Sequence, residues 1–281
     1  MKSLASVPML VNACKHEDGR IRQAAVEALG SIGDKEAIPH IVETLDNDAD
    51  VHVRVAAADA LGMFRDPTAI PALSRALGPH NHKWIYPLAG AALSSIGDAA
   101  VPELLTLLQN PSLADDAREA VSDALAAIGQ PAVAGLMQVL NDERADWFVG
   151  PRAASLLGRI GDPRAIPQLR RALRRGIADL TEAAALALSQ IRDPAARDAL
   201  AQALESDDPT VRGLIAYSAG EWADSQVVDA LVRLLTDSRL VWDNPQMKPV
   251  RVADVAAQAL KTIGTEEALR ALEKWRSGGS A

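Results

Sequence analysis

Five histidines, one cysteine and a scatter of carboxylates are the residues from which this chain could build a reactive centre. His80-Asn81-His82 offers two nitrogens to a metal, but no cysteine or third histidine lies near it, and a zinc site wants four ligands. His16-Glu17 falls in a turn, and His40 and His52 stand singly. Cys14 has no recognisable base beside it. As the only cysteine it forms no internal disulfide, which fits a reducing, cytoplasmic compartment. No nucleophile elbow, phosphate-binding loop or dinucleotide glycine fingerprint occurs. The reading is no catalytic residue, no metal and no cofactor. A net charge of -8 disfavours nucleic acid as a partner. The residue pattern shows no run near the roughly 18 apolar residues of a membrane span, so no membrane is expected either.

The elements that would position any site are helices. Hydrophobic residues make up 48% of the 281, aromatics only 3%, and 53 residues are alanine, so the core must be built from small side chains on helices rather than from a pleated sheet. Self-similarity sets their order. The run from Ile21 to Asp34 recurs along the chain, with one leucine slot at Leu29, Leu61, Leu93, Leu125, Leu157, Leu188, Ala219 and Leu260. The spacings are 32, 32, 32, 32, 31, 31 and 41 residues. Around each slot, apolar residues one, four and eight positions earlier and three later make a single helical stripe. Asp66-Pro67, Asp162-Pro163 and Asp193-Pro194 read as helix starts opening a second helix, and Asp18, Asp50, Asp146 and Asp208 cap the next. Neither helix buries its stripe alone, so neighbours must stack.

The succession of aspartate, valine-arginine, paired alanines, alanine-leucine-glycine, isoleucine-glycine-aspartate and alanine-isoleucine-proline-x-leucine resembles the HEAT-like repeat of the phycobilisome (PBS) lyase type, from about residue 4 to 276. The resemblance implies an all-α, right-handed α-solenoid of about eight HEAT-like helix pairs plus a C-terminal capping helix. One solenoid then fills residues 1–281, with units at about 4–33, 34–65, 66–97, 98–129, 130–161, 162–192, 193–224 and 225–264. The capping helix follows at 265–276 and a tail at 277–281. It also implies that the proline-bearing helix is the outer one and the valine-arginine helix lines a concave surface. Met1 to Cys14 joins the register as the first outer helix; Ser3, Ser6, Pro8 and Asn12 interrupt its apolar stretch too often for a signal peptide. Alanines such as Ala25, Ala57, Ala89 and Ala256 are expected to let successive helices approach closely.

A HEAT-like enzyme, deoxyhypusine hydroxylase, places His-Glu pairs six and five positions before this slot. Those positions here run from Gln23-Ala24 to Asp254-Val255 and hold no histidine. The repeat type also admits a phycobilin lyase subunit or bilin-handling chaperone acting on a phycobiliprotein with a companion solenoid subunit.

Binding chemistry gathers where the repeat breaks. An arginine seven before the slot, Arg22, Arg54, Arg118 or Arg212, is expected to bond nearby turn aspartates such as Asp18, Asp50 and Asp208. Units three, five and eight lose it and gain tryptophan and proline instead: Trp84 with Pro87, Trp147 with Pro151, Trp242 with Pro245 and Pro249. Three long loops follow, at about 78–86, 141–150 and 237–249, carrying Trp84, Tyr86, Trp147, Phe148 and Trp242. These form a partner-binding rim or plug gaps between units; the residues leave both open. Two positions before the slot, Glu27, Asp59 and Asp123 share a column with Tyr217, and six before it stand Glu119, Glu182 and Asp254. That column would draw a basic partner. Between 151 and 175 seven arginines face one aspartate, and Arg170, Arg171, Arg174 and Arg175 form a patch for an anion or acidic partner. The expected function is a non-enzymatic scaffold holding another protein or peptide segment along groove and rim.

Overall fold

The computed structural model describes residues 6–142, 144–221, 227–241 and 250–278, and all of them that are regular are helical. The fold is an all-α solenoid. Contacts divide it into two compact units, Met1–Gly135 and Leu136–Ala281. The first unit holds α1 (Val7–Ala13), α2 (Gly19–Ile32), α3 (Ile38–Asn47), α4 (Val51–Phe64), α5 (Ile70–Ala76), α6 (Tyr86–Ile96), α7 (Val101–Leu108) and α8 (Asp115–Ile128). The division falls within α9 (Gln130–Asn141). The second unit continues with α10 (Val149–Ile160), α11 (Ile166–Ala172), α12 (Ala178–Gln190), α13 (Pro194–Ala203), α14 (Pro209–Glu221), α15 (Val228–Leu234), α16 (Val252–Ile263) and α17 (Glu266–Gly278).

Within each unit the even-numbered helices stack side by side, α2 on α4 on α6 on α8, and α10 on α12 on α14 on α16. The odd-numbered helices make a second layer, with α3, α5 and α7 packed on α4, α6 and α8. The core lies between the layers: Leu29, Leu61, Leu93, Leu125, Leu157 and Leu188 are buried, and so is Ala219. Aspartates start the helices. Asp18, Asp50, Asp66, Asp162, Asp193 and Asp208 each accept the backbone N–H two residues on. Asp146 departs from that expectation: the residue preceding α10 is Phe148, and the Asp146 carbonyl accepts from Val149.

Glycine marks close approaches between successive even-numbered helices. A Cβ on Gly62 would lie 3.0 Å from Ala92 Cα, and one on Gly158 would lie 2.5 Å from Ala187 Cα. The tightest approach is thus glycine one residue after the slot against alanine one residue before the next. Ala25, Ala57, Ala89 and Ala256, expected to let the helices approach closely, are all buried.

Three of the four arginines bond aspartates near the turns, though not the capping ones named from the sequence: Asp48, Asp115 and Asp237. Arg22 reaches across to the next turn and grips Asp48, which also accepts the Asp50 N–H, with Nε at 2.7 Å and Nη2 at 2.8 Å. Arg212 does the same to Asp237, with Nε at 2.8 Å. Arg54 folds back on the Asp48 carbonyl at 2.5 Å, and Arg118 pairs with the Asp115 carboxylate at 2.9 Å while also donating to the Leu113 carbonyl at 2.9 Å. Burial pushes the Asp48 carboxyl up, but Arg22, the Asp50 N–H and Arg54 outweigh it and hold the group below its ordinary value.

Two further differences bear on the expected loops. Tyr86–Leu108 is long and apolar enough, by length and composition alone, to cross a membrane. Gly97, at φ 83°, turns it into α6, a 3-10 turn and α7, whose apolar residues face the stack. The third loop is drawn together at its base by an isolated antiparallel bridge between Leu240 and Arg251, while Trp242, Pro245 and Pro249 lie outside the described residues.

Candidate functional site

The glycine pattern of the stack changes between α6 and α8. Gly30 and Gly62 occupy the position after the slot in the first two even-numbered helices; α6 has Ser94 there. The close contact with α8 is found one turn back, at Gly90, where a Cβ would lie 2.7 Å from the Ala120 carbonyl oxygen. A groove of about 670 Å³ opens beside this contact, lined by Trp84, Pro87, Ala91 and Ser94 on one side and by Asp116, Glu119, Asp123 and the alanines 120, 124 and 127 on the other, with Lys83 at its edge.

Trp84 closes one end of the groove. Pro87, lacking an N–H, is tolerated in the first turn of α6, so the helix starts late and residues 77–85 form the connecting loop. The indole is 51% exposed. It is braced by the His82 ring, edge-on at 4.6 Å, and by the His52 ring of α4 at 5.4 Å, and its backbone N–H donates to His82 Nδ1 at 3.3 Å. Tyr86, two residues on, takes the other role that the sequence left open. It is 4% exposed, and its hydroxyl donates to the Asn81 carbonyl at 2.9 Å, pinning the loop from inside. Burial, followed by the nearby Asp116 charge, raises the Tyr86 phenol.

The groove therefore joins an aromatic residue to the acidic column. Glu119 and Asp123 are exposed on α8, as are Glu27 on α2 and Asp59 on α4. Glu27 accepts a hydrogen bond from Gln23 at 2.8 Å. Asp116 and Lys83 were not foreseen. Their signal was the register itself, since Asp116 and Trp84 both stand nine positions before their slots.

In the second unit Trp147 is 78% exposed and meets Phe148 edge-on at 6.0 Å, with Phe148 half-buried. Tyr217 is exposed on α14, and Leu186 is exposed at the same register of α12. Arg170 and Arg174 line a cavity of about 450 Å³ whose other wall includes Glu205, Asp207 and Asp208, so the molecule answers part of their charge itself. Arg171 is exposed, and the half-buried Arg175 donates to the Leu140 carbonyl at 3.2 Å. Among the described residues no group of three or more His, Cys, Asp or Glu is placed to hold a metal ion. Cys14 is buried, which raises its thiol, as does Asp48.

Comparison with known proteins bears on the stack rather than on this groove. The HEAT repeats family matches residues 1–51, 38–126, 101–189, 135–217 and 178–243. A search of curated proteins found no match. Among solved structures, human deoxyhypusine hydroxylase in complex with glycerol is 24% identical with a TM-score of 0.40, over 92% of this chain and 96% of that one. The complex of CpcE and CpcF of phycocyanin lyase from Nostoc sp. PCC7120 is 20% identical with a TM-score of 0.36, over 96% of this chain and 94% of that one. Kap121p bound to Ste12p is 14% identical with a TM-score of 0.59; the likeness covers 98% of this chain and 35% of Kap121p, and it speaks for the fold alone. With overlapping matches running from residue 1 to 243, the chain belongs to the family of HEAT repeat proteins.

Proposed function

We propose that this chain is a non-enzymatic scaffold that holds a segment of a partner protein, and that the groove between α6 and α8 is a docking site for it. The observation that carries this reading is the meeting of a half-exposed, braced tryptophan, an alanine floor and three carboxylates in one open groove. Tryptophan is the side chain most enriched at binding hot spots, and one held in place loses little freedom when a partner covers it. Asp116, Glu119 and Asp123 favour a basic segment, and the net charge of -8 adds long-range attraction of the same sign. Kap121p, which shares the fold, has been seen bound to Ste12p, a use of such a stack that agrees with this reading.

The bilin-handling reading finds less support in this groove. A bilin carries two propionates, and they would face three carboxylates with only Lys83 to oppose them. One experiment separates the readings. The full chain, Trp84→Ala and Ala91→Trp, which fills the groove, are immobilised and exposed to lysate of the native cell. Each is also mixed with phycocyanobilin. The scaffold reading expects a protein retained by the unaltered chain and lost from both variants, with helicity by circular dichroism unchanged and no shift in bilin absorbance. Equal retention by all three chains, or a bilin shift that Ala91→Trp abolishes, would overturn it.

A further inference from the structure

Resting on the groove reading above, we infer that the occupant is an extended segment that pairs one lysine or arginine with an apolar side chain about three residues away, and that the groove seats the two in a fixed order. The order follows from the register of the lining. Trp84 and Asp116 stand nine positions before their slots, Pro87 and Glu119 six, and Ala91 and Asp123 two; Ser94 and Ala127 come after them. Aromatic and charged lining therefore sits toward the N-terminal ends of α6 and α8. The far end offers Ser94, Ala124 and Ala127, with Asp123, one turn before Ala127, its nearest charge.

Chemistry assigns an occupant to each end. A long basic side chain lays its aliphatic stem on Trp84 and Pro87 while its cation meets Glu119 and Asp116, joining cation–π attraction to charge pairing. An acidic side chain is refused by the three carboxylates. At the far end the small side chains Ser94, Ala124 and Ala127 leave room for a branched or aromatic apolar side chain. The distance between the ends sets the spacing. Pro87 to Ser94 is about 10 Å of helix at 1.5 Å per residue, which an extended chain covers in about three residues.

The test titrates the full chain into dye-labelled Gly-Ser peptides and reads anisotropy. The peptides carry arginine alone, leucine alone, arginine with leucine about three residues on, and glutamate in place of that arginine. The paired peptide is expected to bind about tenfold or more tighter than either single peptide, and the glutamate peptide to bind no better than leucine alone. Glu119→Gln should weaken only the arginine-bearing peptides, and Ala127→Met only the leucine-bearing ones. Glu119 and Ala127 are both exposed, so neither change threatens folding. Equal affinity of paired and single peptides, or a preference for a spacing of about seven that marks a helical occupant, would overturn this inference while leaving the groove reading in place. Failure of every peptide to lose affinity in Trp84→Ala would overturn the groove reading itself.

Discussion

A single methyl group at Gly62 tests how the even-numbered helices stack. Ala92 Cα would stand 3.0 Å from an added Cβ, and backbone cannot swing aside as a flexible side chain can. Gly62→Ala should therefore destabilise by about 1–3 kcal/mol despite the better helix propensity of alanine. At Gly150, where the nearest atom is Leu180 Cδ1 at 3.5 Å, the same change should be neutral or stabilising; denaturant melts of both variants decide the matter. Titration gives a second residue-scale test. Lys35, the Thr68 N–H and the Thr68 hydroxyl lower the Asp66 carboxyl to about 2 from 3.8. A folded value below the unfolded one means that the contribution is present above about pH 4 and is lost as pH falls toward 2. Thermal melts of the unaltered chain and Asp66→Asn should differ most near neutral pH and converge by about pH 2. Lys35 and Asp66 lie in different turns, a pairing that no local pattern announces. The arginine ladder was half legible for the same reason: the donors repeat in sequence, but Asp48 and Asp237 lie 26 and 25 residues from Arg22 and Arg212 and are found only by folding the chain.

At the scale of elements, the helix pairs could be read from period and caps because each repeats the same local physics. The loops could be located but not interpreted. Trp84 and Tyr86 are both aromatic, two residues apart in one interruption of the repeat, and nothing in their types says that one faces solvent and the other faces in. The difference is a hydrogen bond: the Tyr86 hydroxyl finds the Asn81 carbonyl, whereas Trp84 is held by ring contacts at the surface. Stability should separate them. Tyr86→Phe removes the donor from a part-buried carbonyl and should cost about 0.5–1.5 kcal/mol. Trp147→Ala, at a side chain 78% exposed, should stay within about 0.5 kcal/mol of the unaltered chain. Urea midpoints measured side by side check both. The groove was legible in its parts, Trp84 with Glu119 and Asp123, but not as a cavity. Its lining comes from α6 and α8 and the loop before α6, which is a property of two helices together.

Across the whole molecule, energetics should follow the stacking. In a repeat stack each helix pair touches its neighbours and little else, so stability is a sum of local and nearest-neighbour contributions rather than one shared core. Leu61 is fully buried in α4, which packs on α2, α3 and α6. Leu61→Ala should cost about 2–5 kcal/mol there, the sum of lost burial and the cavity left behind. In a globule with a single core that cost would lower protection against hydrogen exchange everywhere at once. In a stack it should lower protection most in α3 and α4, less in α2 and α6, and progressively less toward α8, because each step away involves one more interface that the substitution leaves intact. Hydrogen exchange read by mass spectrometry on the unaltered chain and Leu61→Ala resolves that gradient. A uniform loss of protection across α2 to α8 would mean that the first unit opens only as a whole, and that nearest-neighbour stacking is not what holds it together.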